Sequence, residues 1–281
     1  MASFLEKNAY GKRAVNLSKI IRHPDHHEFR QISVDTELEG DFESVYLQGD
    51  NSPVLATDTQ KNTIYALAQE HFTASIEAFA LYLAAYFVGH EAPIRQAGVQ
   101  ITEHGWSRMG FQDGPHQHAY ISQGREQHTT RVVHNKQGVN IWSGIKELLI
   151  LKTTGSAFEG FLRDRYTTLK ETSDRILATE CRVSWLWKAG GIDYGSSYEG
   201  IRTTLLDTFA HHNSLSVQQT LYAMGEAVLE RWDAVEEIEL VMPNKHHIPF
   251  NLEPFGLDNK NEIFVATDEP YGYITGTVKR S

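Results

Sequence analysis

The stretch LSVQQTLYAMGEAVLERWDAVEEIELVMPNKHH, residues 215–247, changes its hydrophobic period once, and that change sets the fold class. Val217, Leu221, Met224, Val228 and Trp232 recur about one turn apart, as one side of an amphipathic helix does. From Glu237 onward the period is two. Ile238, Leu240 and Met242 alternate with Glu237 and Glu239, the pattern of a strand covered on one face. Pro243-Asn244 then predicts a turn into a further alternating segment. That segment sets His246, Ile248, Phe250 and Leu252 on one face and His247, Asn251 and Glu253 on the other. Long strands with one wet face favour antiparallel over parallel sheets, so the class is α+β.

The same two periods recur outward from this stretch. Ile201, Leu205 and Phe209 predict a preceding helix, separated by His212, Asn213 and Ser214. An earlier helix pair carries Ile64, Leu67, Ala68 and Phe72, then Ile76, Phe79, Ala80, Leu83 and Phe87, with Gly89 as its stop. Strands are marked by Ile32, Val34, Thr36 and Leu38, and by Leu177, Thr179, Cys181, Val183, Trp185 and Trp187. In order, the elements read strand–strand–helix–helix–strand–strand, twice. The first unit covers residues 1–137 and the second 138–281, opening with a strand around Ile141 and Trp142. No clear identity links the halves, so the repeat is one of architecture. Two helices on one face of a four-stranded antiparallel sheet leave the other face and both edges open. Exposed edges invite pairing, so closure by neighbouring copies, a homo-oligomer, is expected.

Composition narrows the function classes. Lys plus Arg number 26 against 36 for Asp plus Glu, a formal charge of −10, which argues against a nucleic-acid partner. One cysteine, Cys181, excludes an internal disulfide framework or thiolate cluster, and strand parity makes it a buried structural thiol. Residues 76–88 fall short of the roughly 18 apolar residues of a membrane helix, and Glu77 interrupts them. The start MASFLEKNAYGKR lacks a secretory layout, and the tail Thr277, Val278, Lys279, Arg280, Ser281 is not a peroxisomal address, so the cytoplasm is expected.

The 14 histidines bunch at His23, His26 and His27 and at His116 and His118; both groups read as polar loops rather than metal sites, and no metal is expected. No GxGxxG, GxxxxGK[ST] or GxSxG pattern is present. Asn244 and His246, two apart on a strand, share a face, so an amide and an imidazole could act on one ligand. The alternative, a turn amide beside a satisfied histidine, stays open from the residues alone.

Four separated motifs add a resemblance. Tyr10-Gly11-Lys12, Ala56-Thr57-Asp58 with Lys61-Asn62-Thr63-Ile64-Tyr65, FEGFLRDRYTTLKETSDRIL from Phe158, and Leu215-Ser216-Val217-Gln218 with Pro243-Asn244-Lys245-His246 together resemble the urate oxidase (uricase) family. The likeness spans the whole chain in matching order. It implies the tunnelling fold, assembled as a homotetramer, and oxidation of urate by O2 and water to 5-hydroxyisourate and hydrogen peroxide without metal or organic cofactor.

The resemblance also implies a site. Arg175 would grip the pyrimidine edge of urate, Gln218 would pair the adjacent carbonyl and N–H, and Phe158 would lie flat on the purine. The Val217 amide completes that side, while Thr57 and Asp58 reach in from an adjacent subunit. Lys12, Thr57 and His246 match the family's proton relay, and Asn244 with Thr57 the pocket for O2 or water. Taking a lysine out of water favours its neutral form, which can accept a proton through a threonine hydroxyl. Read singly, Lys12 would be a solvated strand-end lysine and Thr57 a helix N-cap. Ala157 and Glu159 depart from the aromatic-richer fungal form, and the loop from Gly105 to His118 looks like bacterial members. The alternatives are a zinc-dependent pterin-type enzyme of the same fold and a non-catalytic purine-binding protein.

Overall fold

In the computed structural model, which describes residues 3–90, 92–188 and 190–280, the elements follow the twofold order expected from the period changes. Ser281, the last residue of the tail read above, lies outside the described residues. The first round comprises β1 (Val15–Arg22), β2 (His27–Gly40), α1 (Glu43–Gln48), α2 (Thr57–His71), α3 (Ile76–Val88), β3 (Ile94–Phe111) and β4 (Gly114–Asn135). The second comprises β5 (Gly138–Lys152), β6 (Leu177–Trp187), α4 (Tyr194–His211), α5 (Val217–Arg231), β7 (Val235–Pro249) and β8 (Phe264–Lys279). The short α1 buries none of its side chains, which is why it leaves no periodic signal.

The chain divides into two compact units. One holds Met1–Gly144 with Leu186–Tyr198, the other Ile145–Trp185 with Glu199–Ser281. Within each, neighbouring strands follow chain order, antiparallel from β1 through β4 and again between β7 and β8. β2 buries Ile32, Val34 and Leu38, which join Ile64, Phe72, Phe79 and Leu83 of the helix pair in one core. In the second unit, Val183 and Trp185 of β6, Leu205 of α4, Met224 of α5 and Leu240 of β7 are buried. Cys181 is buried too, and loss of hydration pushes its thiol pKa up to about 12, that of an inert thiol.

α5 climbs its sheet in step with the strands. A Cβ on Gly225 would lie 2.6 Å from Val278, and one on Gly276 would lie 2.9 Å from Leu221. Val278 pairs with Ile238 and Gly276 with Leu240, so one helical turn matches one cross-strand pair on that face. The next pairs on that face of the ladder are Met242–Ile274 and Asn244–Gly272. A turn rises about 5.4 Å and two strand residues about 6.8 Å, which keeps this match close.

Three expectations are corrected. Pro243-Asn244 is no turn: β7 runs through it, and Asn244 pairs with Gly272. The irregularity falls on the partner strand, where Asp268 to Tyr271 of β8 lie opposite the single Lys245, so a proline without an N–H is accommodated beside a bulge. The strand then ends at Pro249, and Glu253–Phe255 form one 3-10 turn, so Phe250, Leu252 and Glu253 are not strand positions. Gly105 to His118 is no loop but the paired ends of β3 and β4, with Phe111 opposite Gly114 across a two-residue turn. Gly114 takes φ +112°, a conformation open to glycine. His116 and His118 are therefore strand residues.

Candidate active site

In the second unit a network of backbone bonds gathers residues from three distant segments. Ala157 N–H donates to Ser214 O (2.7 Å), Phe158 N–H to Thr172 O (2.8 Å) and Arg175 N–H to Ser156 O (2.8 Å). Asp174 accepts from the Thr154 hydroxyl (2.8 Å) and the Gly155 amide (2.9 Å), and these bonds hold its carboxyl below the usual carboxylate range. The segment from Gly155 to Arg175 is thereby closed on itself and tied to the residues that lead into α5.

Two side chains meet there. The Arg175 guanidinium carbon sits 5.2 Å from the centre of the Phe158 ring. Burial lowers the Arg175 pKa from its ordinary value, and its Nε is buried with no hydrogen-bond partner. A buried guanidinium donor without an acceptor is costly, and an anionic or carbonyl-rich ligand would satisfy it. Phe161 stacks on Phe158 with ring centres 5.0 Å apart and planes 10° apart.

Ser214 leads directly to the start of α5. Ser216 caps this helix, its hydroxyl accepting from the Gln219 N–H at 3.1 Å, so the amides of Val217 and Gln218 lack an intrahelical acceptor. Val217 is buried and Gln218 exposed. On β7, Asn244 is 9% exposed and pairs with Gly272. His246 follows on the same face as Asn244, because β7 itself carries no extra residue. Lys245 points the other way, 2.9 Å from Asp268 and 3.5 Å from Glu180, and the Asp268 carboxylate raises its pKa. Phe158, Arg175, Val217, Gln218, Asn244 and His246 all belong to the second unit. His246→Ala is expected to cost about 100-fold or more in turnover and His247→Ala less than about threefold, measured side by side. Equal losses would remove the facing argument.

The remaining expected residues lie in the first unit. Lys12 N–H donates to Thr36 Oγ1 (3.0 Å) and Thr36 N–H to Lys12 O (2.8 Å). The Thr36 hydroxyl also donates to Gln60 Oε1 (2.8 Å), and Gln60 Nε2 donates to Leu55 O (3.2 Å). Gln60, fully buried on α2, therefore ties the main chain at Lys12 to the segment entering Thr57. Gly11 is required for this approach: a Cβ there would lie 1.9 Å from Thr36 O. Gly11→Ala is expected to displace Lys12, costing about 1–3 kcal/mol in a thermal melt together with most of the activity.

Thr57 is not an N-cap. Ala56 holds that position with no side-chain capping bond, and Thr57 is the first helical residue, so capping does not occupy its hydroxyl. The first backbone bond of α2 runs from Gln60 N–H to Ala56 O, which leaves the Thr57 and Asp58 amides without helical acceptors. Lys61, with lesser help from Asn62 and the charge of Lys12, holds the Asp58 carboxyl below its usual range.

Thr36, Gln60, Ser156, Asp174 and Ser214 were not anticipated as site residues. Thr36 alone carried a signal, as a hydroxyl on an otherwise apolar parity. Among the described residues no three His, Cys, Asp or Glu side chains converge as a metal would require.

Tandem strand–strand–helix–helix–strand–strand units define a protein of the tunnelling-fold class. A family model described as Uricase matches residues 8–133 and 141–275. The chain belongs to the uricase family. It is 42% identical to the uricase of Arthrobacter globiformis over 276 residues, covering 98% of this chain and 90% of that protein. The Dictyostelium discoideum uricase is 36% identical over 284 residues, with 100% and 99% covered. The crystal structure of the Arthrobacter globiformis uricase superposes with a TM-score of 0.95 at 41% identity, covering 100% of this chain and 96% of that one.

Proposed function

We propose that the chain oxidises urate with O2 and water to 5-hydroxyisourate and hydrogen peroxide, using no metal or organic cofactor. The observation that carries this, beside membership of the family, is the half-buried Arg175, its Nε buried and unsatisfied and its guanidinium over the Phe158 ring. A guanidinium fork and a flat ring are what a planar anion with adjacent oxygen and nitrogen acceptors requires. Gln218 and the Val217 amide pair the same edge, and Thr57 and Asp58 offer helix-start amides to the imidazole half. Lys12 takes the second proton of urate through the Thr57 hydroxyl, and the electron-rich dianion then passes an electron to O2. Asn244 with Thr57 holds O2 or water above the ring. His246 relays a proton and positions the water that displaces peroxide.

The assembly proposed is a homotetramer with Thr57 and Asp58 supplied across subunit boundaries. Among the described residues β1 and β8 each pair with one strand only, and Leu149, Leu151 and Tyr273 are exposed on strands, as an unassembled sheet would leave them. No helix among the described residues is long and apolar enough to cross a membrane. The lone cysteine, kept as a buried thiol, agrees with a cytoplasmic site of action.

The test follows urate absorbance with metal-stripped protein in air and under nitrogen. Full turnover in air and none under nitrogen is expected. Activity abolished by EDTA would point to the zinc-dependent pterin-type enzyme instead. Binding of 8-azaxanthine without urate loss in air would leave a non-catalytic purine-binding protein.

A further inference from the structure

The chain leading into β1 carries one residue more than the strand it faces. Tyr10 bridges Leu38 and Val15 pairs with Val34, so five steps from 10 to 15 meet four steps from 38 to 34. Lys12 lies opposite Thr36, whose N–H donates to Lys12 O at 2.8 Å. Arg13 and Ala14 are therefore both opposed by the single Asp35, which makes a β-bulge. Ala14 takes φ +54°, the left-handed region that a residue with a Cβ disfavours. Its N–H donates to Asp35 Oδ1 at 2.7 Å. Arg13 lies 3.7 Å from the other Asp35 oxygen and 2.5 Å from Glu37.

The extra residue decides which way Lys12 faces. Opposed residues of an antiparallel pair share a face, and neighbours along a strand alternate. Val34, Thr36 and Leu38 are all buried, and Val34 and Leu38 pack with Ile64 of α2 in one core. Tyr10, Lys12 and Val15 therefore lie on the helix-covered face. In an unbroken strand, counting back from Val15 would set Arg13 on that face. Lys12 would then point out with Asn16 and Ser18, which are exposed. Besides Lys61, whose bond to Asp58 dominates, the charge of Lys12 also lowers the Asp58 pKa, in keeping with a side chain turned towards the first turn of α2.

We propose that Asp35 is a positioning residue for the oxidation: its carboxylate latches the bulge at Ala14 and so keeps Lys12 on the face that α2 covers. The inference rests on the reading of Lys12 as the base that takes the second urate proton. A latch is needed because alanine does not favour this backbone by itself, and a bulge leaves one N–H without a ladder partner. Asp35 accepts from that N–H where the backbone turns. The exposed Arg13 adds an ion pair of the kind that contributes little.

Full-length Asp35→Ala is expected to lower kcat for urate by about 10–100-fold, the loss that follows when a reacting group is misplaced by about 1 Å. KM and the affinity for 8-azaxanthine are expected to stay within about threefold of wild type, because neither depends on the proton step. Asp35→Asn keeps an acceptor for the Ala14 N–H and Arg13→Gln removes only the exposed ion pair, so both are expected within about threefold of wild type. In the Lys12→Met chain, Asp35→Ala is expected to cost no further turnover, whereas a merely structural role would lower both backgrounds alike. A wild-type kcat in Asp35→Ala, a KM change as large as the kcat change, or equal losses in the two backgrounds overturns the latch. If Asp35→Ala does not fold, Ala14→Val and Ala14→Gly are read by the same assays, since valine resists φ +54° and glycine accepts it. Loss of kcat in the valine variant alone supports the latch. Equal turnover in the two, or a valine variant that does not fold, overturns it. A wild type that does not consume urate, or a Lys12→Met variant at full rate, fails the oxidase reading instead, so the two failures are distinct.

Discussion

Lys12→Met is expected to lower urate turnover by about 10²–10⁴-fold while leaving the affinity for 8-azaxanthine close to wild type. The division follows from how residue 12 is held. Its main chain, not its ammonium, bonds to Thr36 at 3.0 and 2.8 Å, and Gly11 beside it packs against the Thr36 carbonyl. Methionine keeps the length of the stem and those backbone bonds, so α2 and Thr57 stay in place. What disappears is the amine that accepts the second urate proton. A non-reacting purine does not need that step and binds as before. Steady-state turnover and inhibitor titration on the same preparation check both halves, and an unaffected rate removes Lys12 from the relay.

Arg175→Ala is expected to act on binding, raising KM by about 100-fold or more, since a hydrogen-bonded charge partner contributes about 1.5–3 kcal/mol per bond. The Arg175 backbone amide, bonded to Ser156 O at 2.8 Å, survives the change, as do the Asp174 bonds that close the segment. Phe158 therefore keeps its tie to Thr172, and the stacking surface remains. A loss confined to kcat would contradict the grip role, because an interaction made equally in ground and transition states appears in KM.

Much of this architecture was legible locally. Val217 to Trp232 at helical spacing and Ile238 to Met242 at strand spacing announce which face each element buries, and the structure buries Met224, Val228, Ile238 and Leu240. Local punctuation was less reliable. Pro243-Asn244 reads as a turn because proline cannot donate, yet a bulge on the opposing strand absorbs it and β7 continues. Ala56-Thr57-Asp58 reads as a cap because threonine often is one, but the helix begins one residue earlier in register and capping does not occupy the hydroxyl.

The amino-acid order by itself determined the α+β class, the doubled order of elements and the apolar faces, because each depends on side-chain spacing within a few turns or strand residues. Tertiary packing alone decided which polar groups meet: Lys12 with Thr36 and Gln60, Arg175 with Ser156 and Phe158, Ser214 with Ala157, Glu77 with His128 and Ser143. These partners lie far apart along the chain except where a loop folds back, and no local preference encodes them. They come together because buried amides, hydroxyls and charges must find partners once helices and strands have docked, and the docking selects which ones are in reach.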